Sequence, residues 1–307
     1  MHKIVFLDRA SLVADIRTPS FPHVWTDYPS TAPADVVGRL RGASICVTNK
    51  VPVRAADLAQ LPDLKLVAVA ATGTDNVDVA AARERGIEVV NIRDYAVETV
   101  PEHCFMLMLA LRRNLLAYRA VVEAGEWQRS ERFCLLGHPI RDLAGSTLGI
   151  VGYGALGQAV ARIGRAFGME IAVTSRSPVA DPGVRQLALD ALLRESDVVT
   201  LHAPLTDATR NMIGAAELAQ MKPSAILLNT ARGGLVDEGA LADALRRNVI
   251  AGAAFDVLSV EPPPPDNPLL ALRQPNFILT PHCAWGSAQA MQRLADILVD
   301  NIEAFAA

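Results

Sequence analysis

Apolar residues fall along this chain in short runs, many of them β-branched, separated by stretches where they recur every three or four positions. That rhythm predicts an α/β fold of parallel strands joined by amphipathic helices. Strands are expected at residues 4–7, 44–48, 66–70 and 88–91, with helices near 34–40, 55–61 and 77–85 between them. Gly86 stands where the last of these helices should stop. From residue 98 to 123 the pattern predicts one long helix, with Pro101 tolerated in its first turn. Its centre, "CFMLMLALRRNLL", is apolar almost all round, which places it in a core, between domains or in a subunit interface. Residues 125–144 are irregular, and a loop of that length is usually functional or an interaction arm. A second alternating run starts at Thr147, with strands expected at 148–151, 170–174, 198–201, 225–229, 251–256 and 277–279. Four consecutive prolines, Pro262 to Pro265, form a rigid loop after a strand end. The final helix, residues 287–305, has no strand after it and is expected to pack back on the first domain. The expected division is therefore 1–97 plus 287–307 for one domain and 98–286 for the other.

Charge changes this picture little: 29 Lys+Arg against 33 Asp+Glu give −4, with no basic run interleaved with aromatics, so no nucleic-acid partner is expected. The longest uninterrupted apolar stretch, residues 104–111, is too short to span a bilayer. The opening "MHKIVFLD" meets an acid at Asp8 and reads as a first strand rather than a signal peptide. Cys46, Cys104, Cys134 and Cys283 form no C-x-x-C pair, which points to free thiols in a reducing compartment and to no metal site. A cytoplasmic globular protein is expected.

The stretch "LGIVGYGALGQAVARIGRAFG" places Gly152, Gly154 and Gly157 between an apolar strand and a long helix, with a further strand at Glu170. In that context G-x-G-x-x-G binds a dinucleotide. Gly152 permits the tight turn, Gly154 lets the backbone approach the pyrophosphate, and Gly157 lets helix and strand pack closely. The helix N-terminus then presents free N–H groups to the phosphates. About twenty residues on, where an acid usually grips the ribose of NAD, the chain carries Ser175, Arg176 and Ser177. A guanidinium flanked by two hydroxyls suits a 2′-phosphate, so NADPH is favoured, with NADH possible.

Three more side chains follow expected strand ends: Arg232 in "LLNTARGGLVD", Glu261 in "FDVLSVEPPPPDNPLL" and His282 in "FILTPHCAWGS". Ligands of an open α/β sheet bind beyond the carboxyl ends of its strands, so all three point to the cofactor's crevice. An imidazole can move a proton near working pH and a guanidinium can hold an anion, so the three are catalytic candidates. The first domain offers backbone N–H groups around Thr72 and Gly73 in "AATGTDNVD", and the side chains of Asn49 and Lys50 in "TNKVP".

With these stretches in view the whole chain resembles the D-isomer-specific 2-hydroxyacid dehydrogenase family. The marks are the glycine turn, "LHAPLT", "NTARGGLVD", "DVLSVEP" and "TPH". "FCLLGHPIRDLAG" and "PHCAWGS" are most similar to its glycerate dehydrogenase or hydroxypyruvate (glyoxylate) reductase branch. The resemblance implies two Rossmann-like doubly wound domains, one flavodoxin-like for substrate and one for the dinucleotide. It also implies reduction of a 2-keto acid in the cleft, which closes over the substrate. His282 would give a proton to the carbonyl oxygen, Glu261 would orient and stabilise the imidazolium, and Arg232 would hold the carboxylate and polarise the carbonyl. A homodimer formed through the cofactor domain is implied as well. By the same resemblance Ala155, Leu156, His202, Pro204, Thr209, Thr230, Ala231, Asp256 and His282 join the cofactor site. Trp285 would border a small polar substrate pocket for hydroxypyruvate or glyoxylate. A dinucleotide-sensing co-regulator on the same fold is the alternative. Formate dehydrogenases of this family carry an amide where Glu261 stands, and phosphoglycerate dehydrogenases are usually longer.

Overall fold

The computed structural model describes all 307 residues and divides into two compact units, Met1–Ala96 with Trp285–Ala307, and Val97–Ala284. In the first, strands β1 (His2–Phe6), β2 (His23–Asp27), β3 (Ile45–Thr48), β4 (Leu66–Val69) and β5 (Glu88–Val90) alternate with helices α1 (Val36–Leu40), α2 (Ala55–Leu58) and α3 (Val79–Glu84). The sheet is wholly parallel in the order β2-β1-β3-β4-β5, which is the flavodoxin-like order. Strands β3 and β4 are buried at every position, as parallel strands covered on both faces must be. Strand β2 was not among the expected elements. It is an edge strand with no fully buried residue, between Pro22 and Pro29, so it carries no apolar run to betray it.

The second unit opens on helices α4 (Thr99–Arg112) and α5 (Leu115–Glu123), where the pattern predicts one continuous helix. The break falls at a single residue. Asn114 takes the left-handed conformation, φ 50°, which asparagine tolerates, and its amide donates to the Pro139 carbonyl in the irregular segment. The almost uniformly apolar α4 is explained by its position, since it packs against another helix and against the second sheet. That sheet comprises β6 (Thr147–Val151), β7 (Glu170–Thr174), β8 (Arg185–Gln186), β9 (Val198–Leu201), β10 (Ile226–Asn229), β11 (Gly252–Phe255) and β12 (Phe277–Leu279). Helices α6 (Ala155–Ala166), α7 (Leu189–Glu195), α8 (Ala215–Leu218) and α9 (Glu238–Arg246) connect them. All pairings are parallel, in the order β12-β11-β10-β9-β6-β7-β8. The winding direction reverses between β6 and β9, and that reversal opens the ligand crevice of a doubly wound sheet.

The last helix, α10 (Ala288–Ala306), belongs to the first unit. The Ser287 hydroxyl caps it by accepting from Ala290 N at 3.1 Å, and Leu294, Leu298, Val299 and Ile302 are buried on its inner face beside β4. Arg17 pairs with both Asp300 and Glu303, holding the Glu303 carboxyl down at about 2.

Candidate active site

The glycine turn sits between β6 and α6, at the reversal point, and each glycine has a distinct reason. Gly152 has φ +96°, and a Cβ there would lie 2.7 Å from the His202 carbonyl carbon, just beyond β9. A Cβ on Gly157 would fall 2.2 Å from the Gly152 oxygen, so α6 packs on the turn only without one. At Gly154 a Cβ would meet nothing within 4 Å. The backbone there borders open space at the helix N-terminus, where the N–H groups of Ala155 and Leu156 lack intrahelical acceptors. That cradle fits a pyrophosphate.

At the end of β7 the loop carrying Ser175, Arg176 and Ser177 is held by Gln186, whose amide donates to the carbonyls of Ser175 and Ser177, each at 3.0 Å. Arg176 is exposed and makes no ion pair. The next acid along, Asp181, accepts from Tyr153 at 2.8 Å and Arg165 at 2.6 Å. Beyond β9, the His202 ring meets Thr200 through Nε2 at 3.0 Å, while its Nδ1 is buried without a partner. Burial pushes this imidazole down to about 4, so it is neutral. Pro204 lies in the same turn, where its carbonyl accepts from the Thr209 hydroxyl at 2.7 Å. Thr209 thereby stabilises the turn itself.

Beyond β10, the buried Asn229 organises the next loop. Its Oδ1 accepts from Ala231 N at 3.1 Å and its Nδ2 donates to the Arg232 carbonyl at 2.8 Å. Thr230 is packed inward, 3.1 Å from the Cys104 thiol. Arg232 Nη1 donates to the Ala231 carbonyl at 2.8 Å.

Beyond β11 and β12 the catalytic candidates meet. His282 Nδ1 lies 2.5 Å from Glu261 Oε2, so this nitrogen carries the proton and Nε2 is the one able to serve a substrate. Glu261 Oε1 accepts from Leu258 N at 2.8 Å, which fixes the carboxylate. His282 has φ 52°, a left-handed backbone that costs a non-glycine residue about 1–3 kcal/mol. Asp256 offsets that strain. Only 1% exposed, its carboxylate accepts from Thr280 Oγ1 at 2.5 Å, Cys283 N at 2.9 Å and Ala284 N at 2.8 Å, and its carbonyl accepts from His282 N at 2.8 Å. His103 of α4 adds a 3.1 Å contact with Thr280 Oγ1, and burial lowers its basicity against the opposing pull of Asp256. Side-chain atoms of His103, Asp256 and Cys283 converge within 4.8 Å, but the carboxylate already serves these donors, so the cluster is a hydrogen-bonded knot. No sequence signal marks His103 or the anchoring role of Asp256, because their partners are distant in the chain, whereas Asn229 acts on the loop directly after it and reads in the sequence as one more strand-end residue.

In the first unit, no hydrogen bond starts from the N–H groups of Thr72 and Gly73, which follow β4 and suit a carboxylate. Lys50 is exposed beside them in the sheet's order, at the end of β3. Asn49 behaves differently. It is buried, its amide donates to Ser11 Oγ at 3.0 Å, and its N–H, with those of Lys50 and Val51, donates to the Asp8 carboxylate. Its visible role is to shape the turn that presents Lys50. Trp285 meets the Tyr95 ring edge-on, with centroids 6.3 Å apart.

Comparison with known proteins bears on this geometry. Residues 105–284 match the family described as D-isomer specific 2-hydroxyacid dehydrogenase, NAD binding domain. The chain is 56% identical to a glycerate dehydrogenase of Methylorubrum extorquens, over 99% of this chain and 96% of that protein. It is 37% identical to a hydroxypyruvate reductase of Blautia hydrogenotrophica, over 88% and 84%. Among solved structures, a D-lactate dehydrogenase from Aquifex aeolicus complexed with NAD and lactic acid superposes with a TM-score of 0.85 at 27% identity, covering 99% of this chain and 95% of that one.

Proposed function

Since the chain belongs to the D-isomer-specific 2-hydroxyacid dehydrogenase family, we propose that it reduces a small 2-keto acid, hydroxypyruvate or glyoxylate, to the D-2-hydroxy acid with NADPH. The observation that carries the reading is the 2.5 Å contact of His282 and Glu261, on the same sheet end as Arg232 and the glycine turn. The bound nicotinamide supplies the hydride. His282 hands the proton on Nε2 to the keto oxygen, and Glu261, facing Nδ1, holds the ring and balances its charge. Arg232 opposes the negative charge that builds on that oxygen and grips the carboxylate. Thr72 and Gly73 supply N–H donors, Lys50 adds positive charge, and Trp285 limits pocket size. The names of the relatives, glycerate dehydrogenase and hydroxypyruvate reductase, support a small polar substrate.

NADPH is preferred to NADH on the strength of Arg176, exposed and without an acid partner on a loop whose carbonyls Gln186 secures. A lost charge-assisted phosphate contact costs about 1.5–3 kcal/mol, roughly 10- to 100-fold in affinity. Steady-state reduction of glyoxylate and hydroxypyruvate with each cofactor tests both halves. Arg176→Ala should weaken NADPH by that factor and NADH little, whereas equal kcat/KM for the two cofactors in the parent overturns the preference. Absence of turnover with either keto acid overturns the substrate assignment.

The working form is a homodimer through the second unit. Trp127, Phe133, Leu136 and Ile140 of the irregular segment and Leu115 of α5 leave apolar side chains exposed, as a subunit interface would require. The four free cysteines suit a reducing compartment such as the cytoplasm. No helix is long and apolar enough to cross a membrane.

A further inference from the structure

Glu261 lies on a long proline-rich loop, yet the proposed chemistry needs its carboxylate fixed against His282. What holds that loop is found elsewhere in the chain. Glu238, the first residue of α9, presents both carboxylate oxygens to it. Oε1 accepts from Ser259 N at 2.5 Å and Oε2 from Asn267 Nδ2 at 2.7 Å. Ser259 and Asn267 bracket Glu261. Asn267 is buried, and its own Oδ1 accepts from Leu269 N at 2.9 Å, so its amide cannot turn over without losing a bond. Asp237 caps α9 by accepting from Ala240 N, which leaves the neighbouring Glu238 side chain to the loop. Five residues upstream, a Cβ on Gly233 would lie 1.9 Å from the Leu258 carbonyl carbon and 2.2 Å from Ser259 N. The Arg232 loop and the Glu261 loop are thus in backbone contact, and Glu238 ties the second of them to the start of α9 beside that contact.

We propose that Glu238 is a positioning residue for the reduction, acting through Glu261, and the proposal rests on the His282–Glu261 reading above. By holding Ser259 and Asn267 it keeps Leu258 N on Glu261 Oε1, and so keeps Oε2 on the imidazole. A carboxylate is needed because both partners donate. An amide could still accept from Ser259 N, but its NH2 would face the NH2 of Asn267.

The test is kinetic, with glyoxylate at saturating NADPH, and uses four variants. Glu238→Gln should lower kcat roughly 10- to 100-fold through displacement of the acid–base pair, with the Kd for NADPH and the melting temperature near the parent's. Glu238→Gln combined with Asn267→Asp reverses donor and acceptor across the clasp while Leu269 N keeps its acceptor, and should restore most of kcat. Glu261→Gln alone should lower kcat, and adding Glu238→Gln to it should lower kcat no further, because the two act along one path. If Glu261→Gln lowers kcat but Glu238→Gln does not, or if their effects multiply, Glu238 is not positioning Glu261 and the proposal is overturned while the pair stands. Failure of the reversed pair to recover kcat, with its melting temperature at the parent's, also overturns it. If Glu261→Gln itself turns over like the parent, the acid–base reading falls and takes this proposal with it.

Discussion

His202 shows how a single buried ring ties stability to pH. Its folded-state value of about 4 lies below the 6.5 of an exposed imidazole, so unfolding takes up a proton between those two values. Stability contributed by the neutral ring is therefore complete above pH 6.5 and is lost as pH falls towards 4, at up to roughly 1.4 kcal/mol per pH unit. Melting temperatures measured across that window should flatten in His202→Gln; an unchanged slope would show that the ring is not the titrating group. For catalysis, His282→Ala should cut keto-acid reduction by ~10²–10⁴-fold while cofactor binding survives, as measured by steady-state rates beside a fluorescence titration. Arg232→Ala should raise KM and lower kcat together, if its proposed contact serves substrate and transition state alike.

At the scale of elements, the strand–turn–helix of β6 and α6 separates two uses of glycine. Gly157→Ala forces a methyl to within 2.2 Å of backbone, so α6 must move off the turn, which should destabilise the fold by about 1–3 kcal/mol in chemical unfolding. Gly154→Ala meets no atom, so the melting temperature should hold while the Kd for NADPH rises, because the methyl would take the space proposed for the phosphates. An equal loss of stability in both would contradict these separate roles. Helix α10 is held mainly by its buried face, and Leu298→Ala should cost about 2–5 kcal/mol of stability. The Arg17 pairings at its exposed side add less and should weaken with salt.

For the whole molecule, the exposed apolar segment between α5 and β6 makes an assembly prediction. Sedimentation should give a mass near twice the 32.8 kDa of the chain. Phe133 is 90% and Leu136 75% exposed, so replacing both with Asp should halve that mass without unfolding the units. A parent that sediments as a single chain would rule out the dimer.

The α/β class and the glycine turn were legible in the sequence because they rest on local rules. Buried parallel strands write themselves as apolar runs, and a backbone that turns at φ +96° against a neighbouring strand admits only glycine, as at Gly152. Arg232, Glu261 and His282 were legible as candidates because each follows a strand, and parallel strands end on one side of a sheet. Edge strand β2 and the break at Asn114 were not, since the first buries no residue fully and the second depends on a carbonyl twenty-five residues away. The pairing of His282 with Glu261, the grip of Asp256 on residues 280–284 and the clasp of Glu238 on Ser259 and Asn267 belong to tertiary structure alone. A carboxylate in a sequence looks the same whether it caps a helix, meets solvent or anchors a catalytic loop. Which of these it does is decided by the donors that folding brings within about 3 Å of it.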